Sequence, residues 1–159
     1  MNILDHVVIP MSDGCNLSAK VWIPEDAMQK PVPAIFEYIP YRKRDFKAVR
    51  DAHTYNYYAQ RGYAGVRVDI RGSGESEGIL RDEYLQQELE DGLEVLKWIA
   101  SQPWCNGNIG MIGISWGGFN ALQIAALHPP ELKAIVTVAS SDHRYSDDVH
   151  YMGGNLLTD

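Results

Sequence analysis

The sequence predicts an α/β fold, in which a mostly parallel sheet is covered by helices on both faces. Short apolar runs that are typical of buried strands alternate along the chain with amphipathic segments of helical length. The 159 residues correspond to about one domain. Because 45% of the residues are apolar and only 22% are charged, the chain can bury a core and is not expected to be disordered.

The first predicted elements form a hairpin followed by a buried strand. Residues 3–10 are β-rich, residues 12–14 supply a Ser-Asp-Gly turn, and residues 16–23 alternate between apolar and polar side chains. A proline-containing loop follows, and residues 34–39 then form a short apolar run that Pro40 ends. The sheet is therefore expected to begin with two antiparallel strands.

The middle of the chain predicts a helix, a strand, a loop and a second helix. Residues 53–61 form a short predicted helix, residues 65–70 a strand, and residues 71–78 a loop with three glycines. The second helix is predicted by apolar residues that recur every three or four positions. These residues are Leu85, Leu89, Leu93, Leu96 and Ile99.

The last predicted elements are a strand over residues 109–114, a helix over residues 116–127 and a strand over residues 132–139. Hydrophobic periodicity is lost after this strand. Residues 140–159 instead carry four Asp and two His. A domain does not normally end in this way.

Charge and composition exclude several kinds of partner. Fourteen basic residues against twenty-one acidic ones give a net charge of −7, which does not suit a nucleic acid backbone. The chain has no apolar stretch of about 18 residues and no basic start followed by an apolar run, so we expect no membrane partner and a cytoplasmic location. Cys15 and Cys105 lie far apart and predict neither a disulfide framework nor a zinc site.

One motif in the sequence indicates a catalytic residue. Gly113, Ser115 and Gly117 form a G-x-S-x-G pattern between a predicted strand and a predicted helix, which is the context of a nucleophile elbow. A serine hydroxyl is a weak nucleophile, so catalysis requires a sharp turn that projects it toward a base and a forming oxyanion. The alternative is that Ser115 only caps the helix that follows.

The glycine-rich loop at residues 71–78 offers a competing hypothesis, a dinucleotide-binding site after the strand 65–70. Its glycines at 72, 74 and 78 miss the G-x-G-x-x-G spacing by one residue. A long predicted helix also occupies the stretch where an acidic residue would have to end the following strand. Dinucleotide binding is therefore the less favoured hypothesis.

Three segments together resemble a known family: residues 69–78, residues 103–117 and the pair Pro40-Tyr41. They are similar to the α/β-hydrolases of the cocaine esterase and Xaa-Pro dipeptidyl-peptidase family. The resemblance extends from the turn at residues 12–14 to Gly153-Gly154. It implies an α/β-hydrolase fold and hydrolysis of a small acyl ester or peptide substrate through an acyl-serine, with no metal or organic cofactor.

The resemblance also implies roles for three residues. Ser115 matches the nucleophile, and the backbone N–H of Trp116 matches one oxyanion donor. Tyr41 matches the second donor, because in this family a tyrosine hydroxyl after the third strand points at the developing negative charge. Without the resemblance, Tyr41 would be interpreted as an ordinary half-buried loop residue.

The resemblance implies that the acid and the base of the triad lie beyond the last residue of this chain. The resemblance therefore implies that residues 1–139 are the N-terminal part of a C-terminally truncated hydrolase domain, and that residues 140–159 begin a cap insertion. Strand 132–139 would then have an open edge, through which we expect the chain to self-associate.

Two alternatives concern catalysis by these residues alone. An internal triad would use His150 as the base and Asp142, Asp147 or Asp148 as the acid, because this satisfies the chain order Ser, acid, His. The other alternative is a non-catalytic α/β-hydrolase-like unit that keeps the serine turn but cannot deprotonate the hydroxyl.

Overall fold

The computed structural model describes residues 1–146, 148 and 150–157. Strands and helices follow one another in the order that the sequence predicts, and a short hairpin follows the last predicted strand. The elements are β1 (Asn2–Pro10), β2 (Asn16–Ile23), β3 (Val32–Ile39), α1 (Ala48–Gln60), β4 (Ala64–Asp69), α2 (Gln86–Ala100), β5 (Cys105–Ile114), α3 (Trp116–Ala126), β6 (Leu132–Val138), β7 (Tyr151–Met152) and β8 (Asn155–Leu156).

The main sheet has six strands in the order β1-β2-β4-β3-β5-β6. β1 and β2 are antiparallel to each other, and β2 is antiparallel to β4, whereas β4, β3, β5 and β6 are all parallel. The mostly parallel sheet is therefore confirmed. After β3 the chain first adds β4 on one side and then β5 on the other, so the strand order reverses at β3.

Helices cover both faces of the sheet, as expected. The larger core lies under α2 and α3, where alternate residues of the central strands are fully buried, including Phe36, Val66 and Met111. α1 covers the other face through a smaller cluster, in which the rings of Trp22 and Tyr55 stack at 4.5 Å between centroids.

Helix α2 confirms the predicted stripe in part: Leu96 and Ile99 are fully buried, and the rest of the buried face is shifted from the leucine positions. Leu85 is exposed, and Leu89 and Leu93 are only half-buried. The buried residues are Glu88, Asp91, Gly92, Val95, Leu96 and Ile99. The buried face is shifted toward Glu88 and Asp91, which are hydrogen-bonded to Trp116 and Arg71. Gly92 lets the helix approach Ile124 of α3, whose Cδ1 would lie 2.5 Å from an added Cβ.

β6 is an edge strand, since it pairs only with β5 among the described residues. Val136 and Val138 on this strand are 57% and 51% exposed. Beside them, an apolar groove of about 430 Å³ is bordered by Ile35, Tyr58 and Ile112. Apolar surface therefore continues from the sheet face to its open edge. In the part of the chain that the structure describes, no helix is both long and apolar enough to cross a membrane.

Candidate active site

Ser115 lies in the single-residue turn between β5 and α3. Its backbone has φ +56° and ψ −119°, a conformation that is strained for a residue with a side chain. The turn is held at both ends: the Ser115 N–H donates to the Val138 carbonyl at 2.8 Å, and the Phe119 N–H donates to the Ser115 carbonyl at 3.0 Å. Neighbouring elements therefore fix the strained conformation.

The Ser115 hydroxyl does not cap α3. The residue occupies the N-cap position, yet its side chain makes no capping hydrogen bond. A capping role consequently does not explain why a serine stands here. The side chain is half-buried and lines a cavity.

Two glycines make the turn sterically possible. A Cβ at Gly113 would lie 2.1 Å from the carbonyl carbon of Gly117, and a Cβ at Gly117 would lie 2.5 Å from Cγ2 of Ile39. Any side chain at position 113 would therefore push α3 away from β5. The motif glycines bring the start of α3 against the ends of β3 and β5.

Tyr41 lies two residues beyond the end of β3, and β3 is the parallel neighbour of β5. Carboxyl ends of adjacent parallel strands lie at the same edge of the sheet, and ligands of open α/β sheets bind at that edge where the strand order reverses. Tyr41 and Ser115 line one cavity of about 190 Å³ at this point. The structure thus brings together two residues that are 74 positions apart in the sequence.

The same cavity has an apolar part and a charged part. Ile39, Phe46 and Ile114 supply the apolar walls, and the side chains of Glu37, Lys47 and Arg50 supply the charges. Arg50 donates hydrogen bonds to Glu37 and to Asp51 of α1, so its charge is balanced within the protein. Lys47 lies over the Tyr41 ring, with its ammonium 5.5 Å from the ring centroid.

Trp116 is the first residue of α3, so its backbone N–H belongs to the group of amides at the helix start that lack an intrahelical acceptor. Its indole Nε1–H donates to the Glu88 carboxylate at 2.6 Å. The Tyr84 ring packs against the indole at 5.4 Å between centroids. The side chain of Trp116 is therefore anchored to the start of α2.

Sequence reasoning missed Glu88, whose buried side chain also accepts a hydrogen bond from the Tyr84 N–H at 3.0 Å. Burial raises the pKa of the Glu88 carboxyl above its ordinary value, and the hydrogen bond from Trp116 opposes that rise. Glu88 directly precedes Leu89 of the predicted apolar stripe. The periodicity of the sequence therefore gives no means of distinguishing this buried glutamate from the solvent-exposed charged residues of α2. Its environment is revealed by its burial and by its hydrogen bonds from Trp116 and Tyr84 in the folded structure.

The residues of the hypothetical internal triad are not joined to Ser115 by any hydrogen bond among the described residues. Asp148 instead accepts from Arg144 at 2.7 Å and from the His150 N–H at 2.7 Å. Asp142 is exposed, and Asp147 lies outside the described residues. The geometry therefore does not favour a triad completed within this chain.

The loop at residues 71–78 also lacks the geometry of a dinucleotide site. α2 begins only at Gln86, so the loop does not open a helix whose N-terminus could bind a pyrophosphate. Its carboxylate at Glu75 is instead paired with Lys43 and Arg44. The described residues contain no group of three or more His, Cys, Asp or Glu side chains placed to hold a metal ion.

Sheet order, helix placement and the serine turn together define an α/β-hydrolase. Comparison with known proteins narrows this class: residues 13–159 match the family model described as X-Pro dipeptidyl-peptidase (S15 family). The chain belongs to this family. The resemblance predicted from the three sequence segments is therefore confirmed.

Individual relatives agree with this assignment. The chain is 33% identical over 158 residues to cocaine esterase of Rhodococcus sp. (strain MB1 Bresler), which covers 98% of this chain and 26% of the esterase. It is 30% identical over 104 residues to an Xaa-Pro dipeptidyl-peptidase of Lactobacillus helveticus, covering 56% of this chain and 13% of the peptidase.

Among solved structures, a CocE/NonD family hydrolase from Staphylococcus aureus superimposes with a TM-score of 0.73 at 28% identity, covering 84% of this chain and 26% of the hydrolase. The chain thus spans about a quarter of the length of this hydrolase and of the Rhodococcus esterase.

Proposed function

We propose that this chain supplies the nucleophile and the oxyanion donors of a serine hydrolase that acts on small acyl esters or peptides. The proposal is based mainly on the strained turn at Ser115, which places this serine in the same cavity as Tyr41. In this proposal the turn is a nucleophile elbow, because it presents a hydroxyl that does not cap the helix. The esterases and peptidases among the relatives support the same reaction class.

In the proposed reaction, the Ser115 Oγ attacks the substrate carbonyl carbon and gives its proton to a base. The tetrahedral oxyanion accepts hydrogen bonds from the Trp116 N–H and the Tyr41 hydroxyl. Collapse of this intermediate breaks the bond to the alkoxide or amine, which leaves with the proton from the base. Water then attacks the acyl-serine by the same steps and releases the acid.

The proposal places the base and the acid outside these 159 residues. It is supported by the absence of a hydrogen bond from Ser115 to any histidine in the described part of the chain. We further propose that residues 1–139 form the N-terminal part of the hydrolase domain and that residues 140–159 begin a cap insertion. Limited proteolysis of the whole protein tests the boundary, with first cleavage expected after residue 139.

The test of the function is fluorophosphonate labelling and p-nitrophenyl ester turnover by the whole protein as its gene encodes it. We expect Ser115→Ala to abolish both and Ser101→Ala, at the far end of α2, to abolish neither. Activity retained by Ser115→Ala would overturn the assignment. Rapid labelling of this chain alone that depends on Ser115 would show that acid and base lie within it.

The second candidate function is a non-catalytic unit with the same fold. It is favoured by the absence, among the described residues, of a base hydrogen-bonded to the Ser115 hydroxyl, since a serine without a base is not activated. The whole protein distinguishes the two candidates: a folded whole protein that neither binds fluorophosphonate nor turns over the ester supports the non-catalytic unit.

Two further proposals concern the setting of the protein. We propose that this chain self-associates through the open edge of β6, which is supported by the exposed Val136 and Val138.

We also propose a cytoplasmic location, supported by the free thiols of Cys15 and Cys105. Recovery of the native protein in the membrane or secreted fraction of its cells would contradict the cytoplasmic location.

A further inference from the structure

Lys43 is a buried charge close to the proposed oxyanion tyrosine. Its side chain has no solvent exposure, which is rare for a lysine and costly unless the ammonium is paired. The ammonium contacts Glu75 within hydrogen-bond distance and lies 3.8 Å from Asp69. The position of the Lys43 side chain is therefore fixed by two carboxylates.

Those carboxylates belong to the end of β4 and to the loop at residues 71–78. Asp69 accepts a hydrogen bond from the Lys43 backbone N–H at 2.7 Å, and its other oxygen accepts from the Glu75 N–H at 3.3 Å. A Cβ at Gly74 would lie 2.1 Å from Asp69, so the loop is packed directly on this carboxylate. Backbone and side chain of Lys43 are thus held by the same cluster.

Only one residue separates Tyr41 from Lys43. That residue, Arg42, has a φ of +54°, which is an uncommon conformation for a residue with a side chain and persists only where the surroundings impose it. Tyr41 itself is bounded on its other side by Pro40, whose ring fixes φ. The segment 40–43 is therefore anchored at Lys43 and stiff up to Tyr41.

We propose that Lys43 is a positioning residue: its ion pairs with Asp69 and Glu75 hold the segment that places the Tyr41 hydroxyl beside Ser115. The inference rests on the proposed function, in which Tyr41 stabilises the oxyanion. An oxyanion donor has to be held to within fractions of an ångström, since small displacements of reacting groups reduce rates by about 10²-fold. The buried lysine supplies that rigidity from outside the cavity.

The first test is a double-mutant cycle on ester turnover by the whole protein. Tyr41→Phe is expected to lower kcat by about 10²–10³-fold with little effect on KM. Lys43→Met should lower kcat by about 10-fold or more in the native background and by less than about 2-fold in the Tyr41→Phe background. Lys20→Met, which removes another ion-paired lysine, is the control and should leave kcat unchanged.

The outcomes separate the inference from the proposed function. If Tyr41→Phe leaves kcat unchanged, Tyr41 is not a donor and both fail. If Tyr41→Phe lowers kcat but Lys43→Met does so equally in both backgrounds, Lys43 has a general structural role and only the inference fails. Loss of kcat by Lys43→Met that disappears in the Tyr41→Phe background supports the inference.

The second test needs no activity and uses the whole protein with 3-fluorotyrosine in place of tyrosine. The fluorine resonance that Tyr41→Phe removes reports the Tyr41 ring. Lys43→Met should shift or broaden it, whereas the resonances of the buried Tyr38 and Tyr55 should keep their positions. An unchanged Tyr41 resonance overturns the inference. If Lys43→Met does not fold, Glu75→Gln removes the closest partner and should change the same resonance.

Discussion

At the scale of single residues, the serine turn combines backbone strain with close packing. A non-glycine residue at a φ of +56° costs on the order of 1–3 kcal/mol, which the packing of α3 on β5 and β6 offsets. The packing depends on Gly113, because an added Cβ there would lie 2.1 Å from the backbone of the first turn of α3. The strained turn at Ser115 and the packing of α3 therefore both require that Gly113 has no side chain.

Replacement of Gly113 tests this dependence. In Gly113→Ala the added methyl group would meet the backbone of Gly117 and Gly118 at 2.1–2.5 Å, so we expect a loss of about 2–3 kcal/mol and a loss of Ser115 labelling. Gly110→Ala in the same strand is the matched control, because its nearest neighbour would lie at 3.7 Å. Urea unfolding measures both. Equal stability of the two variants would contradict the steric argument.

The buried Glu88 carboxyl gives a prediction about pH. Because burial raises its pKa in the folded state above the ordinary value of 4.5, the folded protein binds more protons than the unfolded chain just above that pH. The contribution of Glu88 to stability is therefore largest at low pH and decreases as the pH rises through the folded-state pKa.

We expect the free energy of unfolding of the native chain, measured relative to Glu88→Gln, to fall on the order of 1 kcal/mol from about pH 4 to pH 8. The native chain and Glu88→Gln share all other carboxylates, including Asp13 and Glu75, whose pKa is lowered. The pH dependence that these groups cause therefore cancels in the difference between the two free energies of unfolding. The control is Glu90→Gln, an exposed position on the same helix. A difference that does not change with pH would show that burial does not govern Glu88.

At the scale of elements, the loop after β4 connects parts of the fold that are distant in sequence. Arg71 forms two parallel hydrogen bonds to the buried Asp91 of α2, at 2.8 and 2.7 Å, and a third contact to Asp13 of the β1–β2 turn at 2.9 Å. This clamp lets α2 bury Asp91 together with Leu96 and Ile99 of the predicted stripe.

Arg71→Met should therefore cost about 3 kcal/mol of folding free energy, because it leaves the Asp91 carboxylate buried without its partner. Lys20→Met breaks an ion pair of 2.6 Å whose Asp5 partner is largely exposed, and should cost no more than about 1 kcal/mol. Urea denaturation of the two variants measures the contrast. A loss in Arg71→Met as small as in the control would mean that the clamp does not hold α2.

At the scale of the whole molecule, the sheet is asymmetric. On one side β1 and β2 form an antiparallel hairpin. On the other, β6 is the outermost parallel strand among the described residues and has exposed valines next to an apolar groove. An open, apolar edge strand is a template for pairing with another copy of the chain.

A charge on this edge should reduce association. We expect sedimentation velocity to show concentration-dependent oligomers for the native chain and a shift toward monomer for Val136→Lys. Val49→Lys places the same charge at an exposed valine of α1 and should leave the distribution unchanged. A native chain that stays monomeric at all concentrations would contradict the proposal.

Short sequence patterns by themselves determined a large part of the fold and of the candidate site. The order of strands and helices, the serine between β5 and α3, and the family to which the chain belongs all follow from short sequence segments, because turn chemistry and periodicity act between near neighbours. The proximity of Tyr41 to Ser115 was implied only by resemblance, since it depends on β3 and β5 being adjacent in the sheet.

Only the tertiary structure decided the partners of the buried polar groups. Glu88 meets Trp116 across 28 positions, Arg71 meets Asp91 across 20, and Lys43 meets Glu75 across 32. Such pairs do not follow from any local periodicity of the sequence. In α2 the burial of Glu88 and Asp91 shifts the buried face, so that only Leu96 and Ile99 of the predicted stripe are fully buried. The physical reason is that a buried charge must find a partner wherever the fold brings one, whatever the distance along the chain.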